Sequence, residues 1–500
     1  MDKKQIFKLL VDSSIGKNIY NSPKALELFK GSFWSILGAV FSKGLVFLSW
    51  IIVARILGSE GYGQFGIVRS TVLMFTSFAG FSLGITASKH VAEFLNTDKE
   101  KTGRILGLTM SFGFFMGIIV GVLFYLLAPW LATETLNAPE ITNELRIGAL
   151  ILFFSALNGA QMGALQGFMS FKRIAKISAI QAVFSFPLFI VGALYFGIYG
   201  TIWAFAFSYI IICFLSNFAI NKEAKKHKVK VDYSNAWQEK SMLFTYSLPA
   251  FLSGLMVMPV KWYADSLLVS RGGFDGMGLF TAALTFNNII LVGAGMLSAP
   301  FIAIMAKNKS DDRNSRFSKF NILAPWAIGV FICVPLIVFP EIGSTLFGDT
   351  FANTQFKVTF IFVLLFTIVL MFKQGLARII AVYNLQWWGF LDNMIWGGLL
   401  ISSFLMLPNQ NAVYLALSYL LAYSINTIII IPLYFSKKLI PEKTIISLES
   451  CLIWLIITGV AFVGVYIEQI LIRMIILIIA LVLFIFSFYR LFNESSKNNL

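Results

Sequence analysis

Residues 470–491 read ILIRMIILIIALVLFIFSFYRL. A helix on the surface of a soluble domain confines its apolar residues to a stripe, and a strand of a membrane barrel alternates apolar with polar. This stretch is apolar on every face, over the roughly 20 residues that a helix needs to cross ~30 Å of hydrocarbon. Only helices and closed barrels satisfy their backbone polar groups in that medium, so the segment is a transmembrane helix. Comparable runs recur back to Phe33. The first six spans are 33–56, 64–88, 105–128, 147–171, 177–197 and 201–220. The next six are 242–270, 278–306, 320–340, 356–379, 388–407 and 412–435, and 446–467 and 470–491 follow. The expected fold is an all-α integral membrane protein of about fourteen transmembrane helices.

Composition agrees: 58% of residues are hydrophobic and 13% charged, with a mean hydropathy of +0.80. The formal net charge of +15 is read as topological rather than as a nucleic-acid footprint, because Lys and Arg accumulate in cytoplasmic loops. They alternate from one connection to the next. One side carries the N-terminal lysines, Lys89 to Arg104, Lys172 to Lys176, Lys222 to Lys240, Lys307 to Lys319 and Lys437 to Lys443. The other has only Arg55, Arg146, Arg271, Lys357 and Arg473 among acids such as Glu60, Glu134, Glu341 and Asp349. Both termini are expected to be cytoplasmic, in a multi-pass protein of the cytoplasmic (inner) membrane. The polar, Lys-rich first thirty residues lack the pattern of a removable signal peptide.

Cys213, Cys333 and Cys451 lie in apolar runs and His90 and His227 in separate basic loops, so no disulfide framework, metal set or cofactor is expected. No hydrophilic connection is much longer than twenty residues, which leaves no room for a separate catalytic domain and favours a transporter over an enzyme. Gly113, Gly117 and Gly121, spaced along one helical face, are read as close helix packing.

An internal repeat organises the chain. Glu60-Gly61-Tyr62-Gly63-Gln64-Phe65 after the first span matches Asp275-Gly276-Met277-Gly278-Leu279-Phe280 after the seventh at constant offset. Ala206-Phe207-Ser208-Tyr209 matches Ala416-Leu417-Ser418-Tyr419 at nearly the same one. The expected organisation is a basic N-terminal segment 1–32, an N-lobe 33–220, a basic linker 221–241, a C-lobe 242–435 and two further helices in 446–491.

The stretch Val53-Ala54-Arg55-Ile56-Leu57-Gly58-Ser59-Glu60-Gly61-Tyr62-Gly63-Gln64-Phe65 resembles the signature after the first span of Wzx-type polysaccharide flippases. These belong to the multidrug, oligosaccharidyl-lipid and polysaccharide exporter superfamily. The resemblance implies two six-helix lobes around a central cavity, with two extra C-terminal helices. It implies a substrate of glycan on a polyprenyl pyrophosphate carrier, moved between leaflets by alternating access for cell-surface polysaccharides such as O-antigen. The implied partners are that lipid-linked glycan, membrane lipids and a polysaccharide polymerase with its chain-length machinery, with no nucleic acid.

Charges within the spans are the candidate site, because one at the bilayer centre costs about 2.5–3.5 kcal/mol on insertion scales and should face a cavity or a partner. Lys43 lies near the midplane, too deep to snorkel. Arg69 is expected about one and a half turns below the outer end of its span. Lys261 and Asp265, at i and i+4, are close enough to pair, and either neutralise one another or serve substrate binding and coupling. Lys373 and Asp392 lie nearer the cytoplasmic ends of their spans. Asn287 and Asn288 either meet sugar hydroxyls or join helices. Pro249 and Pro259 are expected to kink the seventh span, which with the turn glycines Gly61, Gly63, Gly276 and Gly278 would form the gate. Arg55 and Arg271 are expected to cap helix C-terminal carbonyls. The balance is cationic. It suits a pyrophosphate better than the cations carried by a multidrug antiporter, and a membrane polymerase or ligase should carry a sizeable outward loop that this chain lacks.

Overall fold

The structure, a computed structural model, describes residues 23–295, 298, 301, 305, 316–383, 385–441 and 444–493. Positions 1–22 of the expected N-terminal segment, most of the end of the eighth span, and Lys307, Lys309 and Arg313 lie outside the described residues.

In chain order the helices are α1 (Pro23–Gly80), α2 (Leu83–Phe94), α3 (Lys99–Trp130), α4 (Thr142–Gly167) and α5 (Phe171–His227). Then come α6 (Leu248–Gly254), α7 (Val257–Gly295), α8 (Arg316–Val338), α9 (Glu341–Phe347) and α10 (Thr354–Val382). The chain closes with α11 (Gln386–Met406), α12 (Ala412–Ser436), α13 (Leu448–Tyr466) and α14 (Ile470–Asn493). Among the described residues eleven helical segments are long and apolar enough to cross a membrane. Three of them break at a positive-φ glycine and make two passes each: α1 at Gly58, α5 at Gly197, and the segment containing α7 at Gly273. Fourteen passes result.

The reversals fall slightly earlier than the sequence suggests. Gly58 (φ 70°, ψ −179°) and Gly273 (φ 74°, ψ 178°) adopt a conformation open essentially to glycine alone. Helix resumes at once, so Gly61, Gly63, Gly276 and Gly278 lie inside helices rather than in the turns. The return is tight: Trp50 before Gly58 packs against Phe65 after it, with ring centroids 5.0 Å apart.

Two bundles follow from the contacts. The passes of α1, α3, α4 and α5 pack on one another, and α7, α8, α10, α11 and α12 form the second group. Apolar burial alone does not drive helices together in lipid, so close approach through small residues matters. Gly113, Gly117 and Gly121 meet α4 backbone in the way that their spacing suggested. Cβ atoms built on them would lie 3.4, 3.0 and 3.1 Å from the carbonyl oxygens of Ala156, Phe153 and Ala149. The two C-terminal helices cover α8: its buried Trp326 stacks on Trp454 of α13 and meets Phe488 of α14, both with centroids 5.3 Å away. At the opposite end Arg473 of α14 donates to Glu341 at 2.8 Å, with Lys357 3.4 Å from the same carboxylate. Partial burial works against the Glu341 charge, but hydrogen bonds from its backbone and Arg473, and both cations, hold its carboxyl below the usual glutamate range.

The bundles meet through α1 and α7. A Cβ on Gly63 would lie 1.8 Å from the carbonyl oxygen of Phe274, and one on Gly278 would lie 1.8 Å from that of Ser59. Gly63 corresponds to Gly278 and Ser59 to Phe274 at the constant offset of the repeat, so the contact is reciprocal: a pseudo-two-fold axis passes between the two glycines. Arg55 extends the seal by donating to the carbonyl of Thr345, in the last turn of α9, at 2.6 Å. It caps a helix, as expected, but one belonging to the other bundle. Arg271 is exposed.

Candidate functional site between the bundles

Below the glycine contact, successive residues of α1 tie onto α7. Gly66 lies against Thr281, Ser70 Oγ donates to Asp265 Oδ2 at 2.6 Å, and Trp262 Nε1 donates to Thr71 Oγ1 at 3.0 Å. Tyr62 and Thr285 share a hydroxyl–hydroxyl bond of 3.3 Å. These bonds set the register of the two bundles at the depth where the intramembrane charges lie. Counting 1.5 Å per residue from the turns, Arg69 is about 16 Å in from Gly58 and Lys43 about 22 Å, while Asp265 and Lys261 are about 12 and 18 Å in from Gly273. Arg69 is therefore deeper than the expected turn and a half, because its helix begins at Ser59.

The charges are unevenly matched. The Arg69 guanidinium lies over the Trp50 ring, 5.2 Å from its centroid, and its Nη1 is buried without a hydrogen-bond partner. Such a stacked cation keeps its fork of donors free, and here one donor is unused. Lys43 and Lys261 form no ion pair within 4 Å among the described residues. Lys261 and Asp265, at i and i+4, thus stay within Coulombic reach of one another without closing to a direct contact. Asp265 is buried, takes its bond from Ser70 of the other bundle, and keeps Oδ1 without a partner. Arg69 remains within Coulombic reach of Asp265 and of Lys43. Lys43 itself is exposed and Lys261 half-buried. Among the described residues, one carboxylate stands against three cations here.

Lys373 and Asp392 are not brought to this centre. They pair with each other at 3.1 Å inside the second bundle, where Lys373 also donates to Asn426 Oδ1 and Asn426 donates to the Asp392 carbonyl at 3.0 Å. The Lys373–Asp392 pair lines a cavity of about 200 Å³ with Trp396, Tyr423 and Tyr434. Asn287 turns into the second bundle, buried, and donates to Thr367 Oγ1 at 2.7 Å, which is the helix-joining alternative; its neighbour Asn288 is exposed.

The seventh span is broken between Gly254 and Val257. Its basic-side half is a wide turn, Leu243–Ser247, followed by α6, and helix resumes at Val257 after Leu255 and Met256. Pro259 occupies the first turn of the helix that resumes after this break, where the missing N–H costs little, whereas Pro249 follows directly on the wide turn within one continuous helical run, Ser241 to Gly254. The same half docks on the first bundle: Ser247 bonds Thr86 at 2.6 Å, and Phe251 meets Phe78 and Phe81. The second span breaks beside it, with Phe81 and Ser82 at positive φ.

The charges were legible in the sequence because each interrupts an apolar run. Ser70, Thr71, Trp50, Trp262 and Asn426 were missed, since neutral residues of those types are common in membrane helices. For Trp50 a faint signal existed, as it stands at the repeat position of Asp265.

Three comparisons bear on this geometry. The fold matches that of a lipid II flippase, MurJ, in an inward closed conformation, with a TM-score of 0.67 at 15% identity over 92% of this chain and 99% of that one. It also matches an inward-facing multidrug resistance transporter of the MATE family, with a TM-score of 0.62 at 15% identity over 81% of this chain and 98% of the other. Stage V sporulation protein B of Bacillus subtilis is 21% identical over 395 residues, 73% of this chain and 75% of that protein. The model of the family described as polysaccharide biosynthesis protein matches residues 28–301. More than half of the sequence lies in that match, so the chain, with its many apolar helices a multi-pass membrane protein, belongs to the polysaccharide biosynthesis protein family.

Proposed function

We propose that the protein translocates a glycan carried on polyprenyl pyrophosphate from the cytoplasmic to the outer leaflet, by alternating access of the two bundles. The observation that carries this reading is the cationic excess of this centre: a half-buried Arg69 whose buried Nη1 has no hydrogen-bond partner, beside Lys43 and Lys261, which form no ion pair within 4 Å among the described residues. A pyrophosphate supplies the acceptors that such a centre lacks, through charge-assisted hydrogen bonds, while the prenyl tail stays in lipid. Arg69 contributes directional donors and the exposed Lys43 a point charge on a flexible stem. Lys373 and Asp392, already neutralising one another, suit a coupling role in the second bundle better than substrate binding. A cation-exporting reading has no comparable support, since the one nearby carboxylate is held by Ser70.

Reconstitution in vesicles with a polyprenyl-pyrophosphate oligosaccharide tests the proposal, translocation being read by access of an external glycosidase. Wild type should move the glycan, and Lys43→Ala and Arg69→Ala should each lower the initial rate at least about tenfold, the effect of losing one ~1.5–3 kcal/mol charge-assisted bond. Lys43→Arg should retain more activity than Lys43→Gln. Normal rates in both alanine variants at normal protein level would remove the cationic centre from the mechanism.

A further inference from the structure

On the flank of the first bundle an apolar groove and a cationic pocket run into one another. The groove, about 490 Å³, lies between α3, α4 and α5 and is walled by Phe114, Phe115, Phe154 and Phe214, three of them strongly exposed. The pocket, about 720 Å³, lies between the start of α3 and the linker after α5, on the Lys-rich side. Tyr233 lines both.

The linker is fixed there. Gly103 and Gly107 of α3 leave a channel in which the chain from Lys230 to Tyr233 sits, and Cβ atoms on them would lie 2.0 Å from the carbonyl oxygens of Lys230 and Asp232. Asp232 N–H also donates to the Gly103 carbonyl at 3.1 Å. Tyr233 and Trp237 project outward, 61% and 58% exposed, as aromatic side chains do at the level of lipid headgroups.

The charges of the pocket divide clearly. Arg104 is spent on Glu239 at 2.9 Å, and the Asp232 carboxylate is spent on the backbone and side-chain nitrogens of Asn235 at 3.0 and 2.9 Å. Glu100 is the one other acid lining the pocket. Lys99, Lys228 and Lys230 are exposed and form no ion pair within 4 Å among the described residues. Three free ammonium groups thus stand at the mouth of a groove whose walls suit acyl chains. We propose that this flank is a docking site for an anionic phospholipid of the leaflet on the basic side, its phosphate among Lys99, Lys228 and Lys230 and an acyl chain in the groove. The site lies apart from the face between the bundles and does not depend on what the protein carries.

Native mass spectrometry of the full chain in detergent, with phosphatidylglycerol and phosphatidylcholine supplied equally, tests it. Wild type should retain phosphatidylglycerol preferentially. Lys99→Gln/Lys228→Gln/Lys230→Gln should lower that retention at least about tenfold, given the contribution of each basic residue near an anionic surface. Lys222→Gln/Lys225→Gln, exposed on the same side but outside the pocket, should retain it. Full retention by the triple variant, or an equal loss in the control, would overturn the proposal. So would one-for-one displacement of phosphatidylglycerol by polyprenyl phosphate, which would make the flank a dock for the carrier instead.

Discussion

A single methyl group decides whether the two bundles can meet at the Gly63–Gly278 contact. Alanine is a better helix former than glycine by about 1 kcal/mol, so Gly63→Ala on local grounds should stabilise its helix. The Cβ, however, would stand 1.8 Å from the Phe274 carbonyl oxygen, and backbone on backbone has no rotamer by which to escape. Overpacking of this kind costs about 1–3 kcal/mol, here charged only to the state in which the contact is closed. We predict that Gly63→Ala shifts the population away from that state by roughly ten- to a hundredfold. Gly278→Ala should do the same through Ser59, and the double variant should add less than the sum, because both methyls open one interface. The labelling rate of a cysteine at Ser59, which is buried here, by an impermeant maleimide reads the shift. An unchanged rate in both single variants would mean that the contact does not gate access.

At the scale of elements, the passes could be read from the sequence because a run of apolar residues in lipid has one solution, and each run decides it without help from its neighbours. The breaks in the second and seventh spans could not. Phe81 and Ser82 bear no mark of positive φ, and the gap at Leu255–Met256 is compensated by packing on Phe78, Phe81 and Thr86, far away in sequence. The same reason divides the site. Arg69 and Asp265 stand out alone, whereas the bond that holds Asp265 comes from Ser70, 195 residues away. That bond suggests how α7 is coupled to α1. A carboxylate accepting from Ser70 keeps the two elements joined, and its protonation would add a donor facing Arg69 and weaken the attraction between them. We predict that Asp265→Asn, which keeps an oxygen for Ser70 but cannot titrate, leaves the protein folded and abolishes acceleration of transport by an imposed pH gradient. If the variant responds to the gradient as wild type does, Asp265 is a static tie.

For the whole molecule, alternating access requires that everything joining α1 to α7 on the Gly58 and Gly273 side release together. Arg55 must leave the Thr345 carbonyl, the paired glycines must part, and Gly66 must leave Thr281. On the proposed function, the two-fold relation between the bundles would make this a rocking of two nearly rigid bodies about the axis between Gly63 and Gly278, with the broken seventh span as the connection that changes shape. A cross-link across the axis should therefore arrest the cycle without harming either bundle. A Cβ on Gly66 would stand 3.2 Å from that of Thr281, near the ~3.5–4.5 Å of a disulfide. Gly66→Cys/Thr281→Cys should then form one on mild oxidation, in a background where Cys213, Cys333 and Cys451 are replaced by Ser or Ala. We expect oxidised protein to lose transport at least about tenfold and to regain it on reduction, and a Ser59 cysteine in the locked form to become inert to external label. Such a loss needs the closed contact to be both populated and obligatory in the cycle. Efficient cross-linking with transport undiminished would show instead that substrate crosses without the bundles separating, and the rocking mechanism would fail.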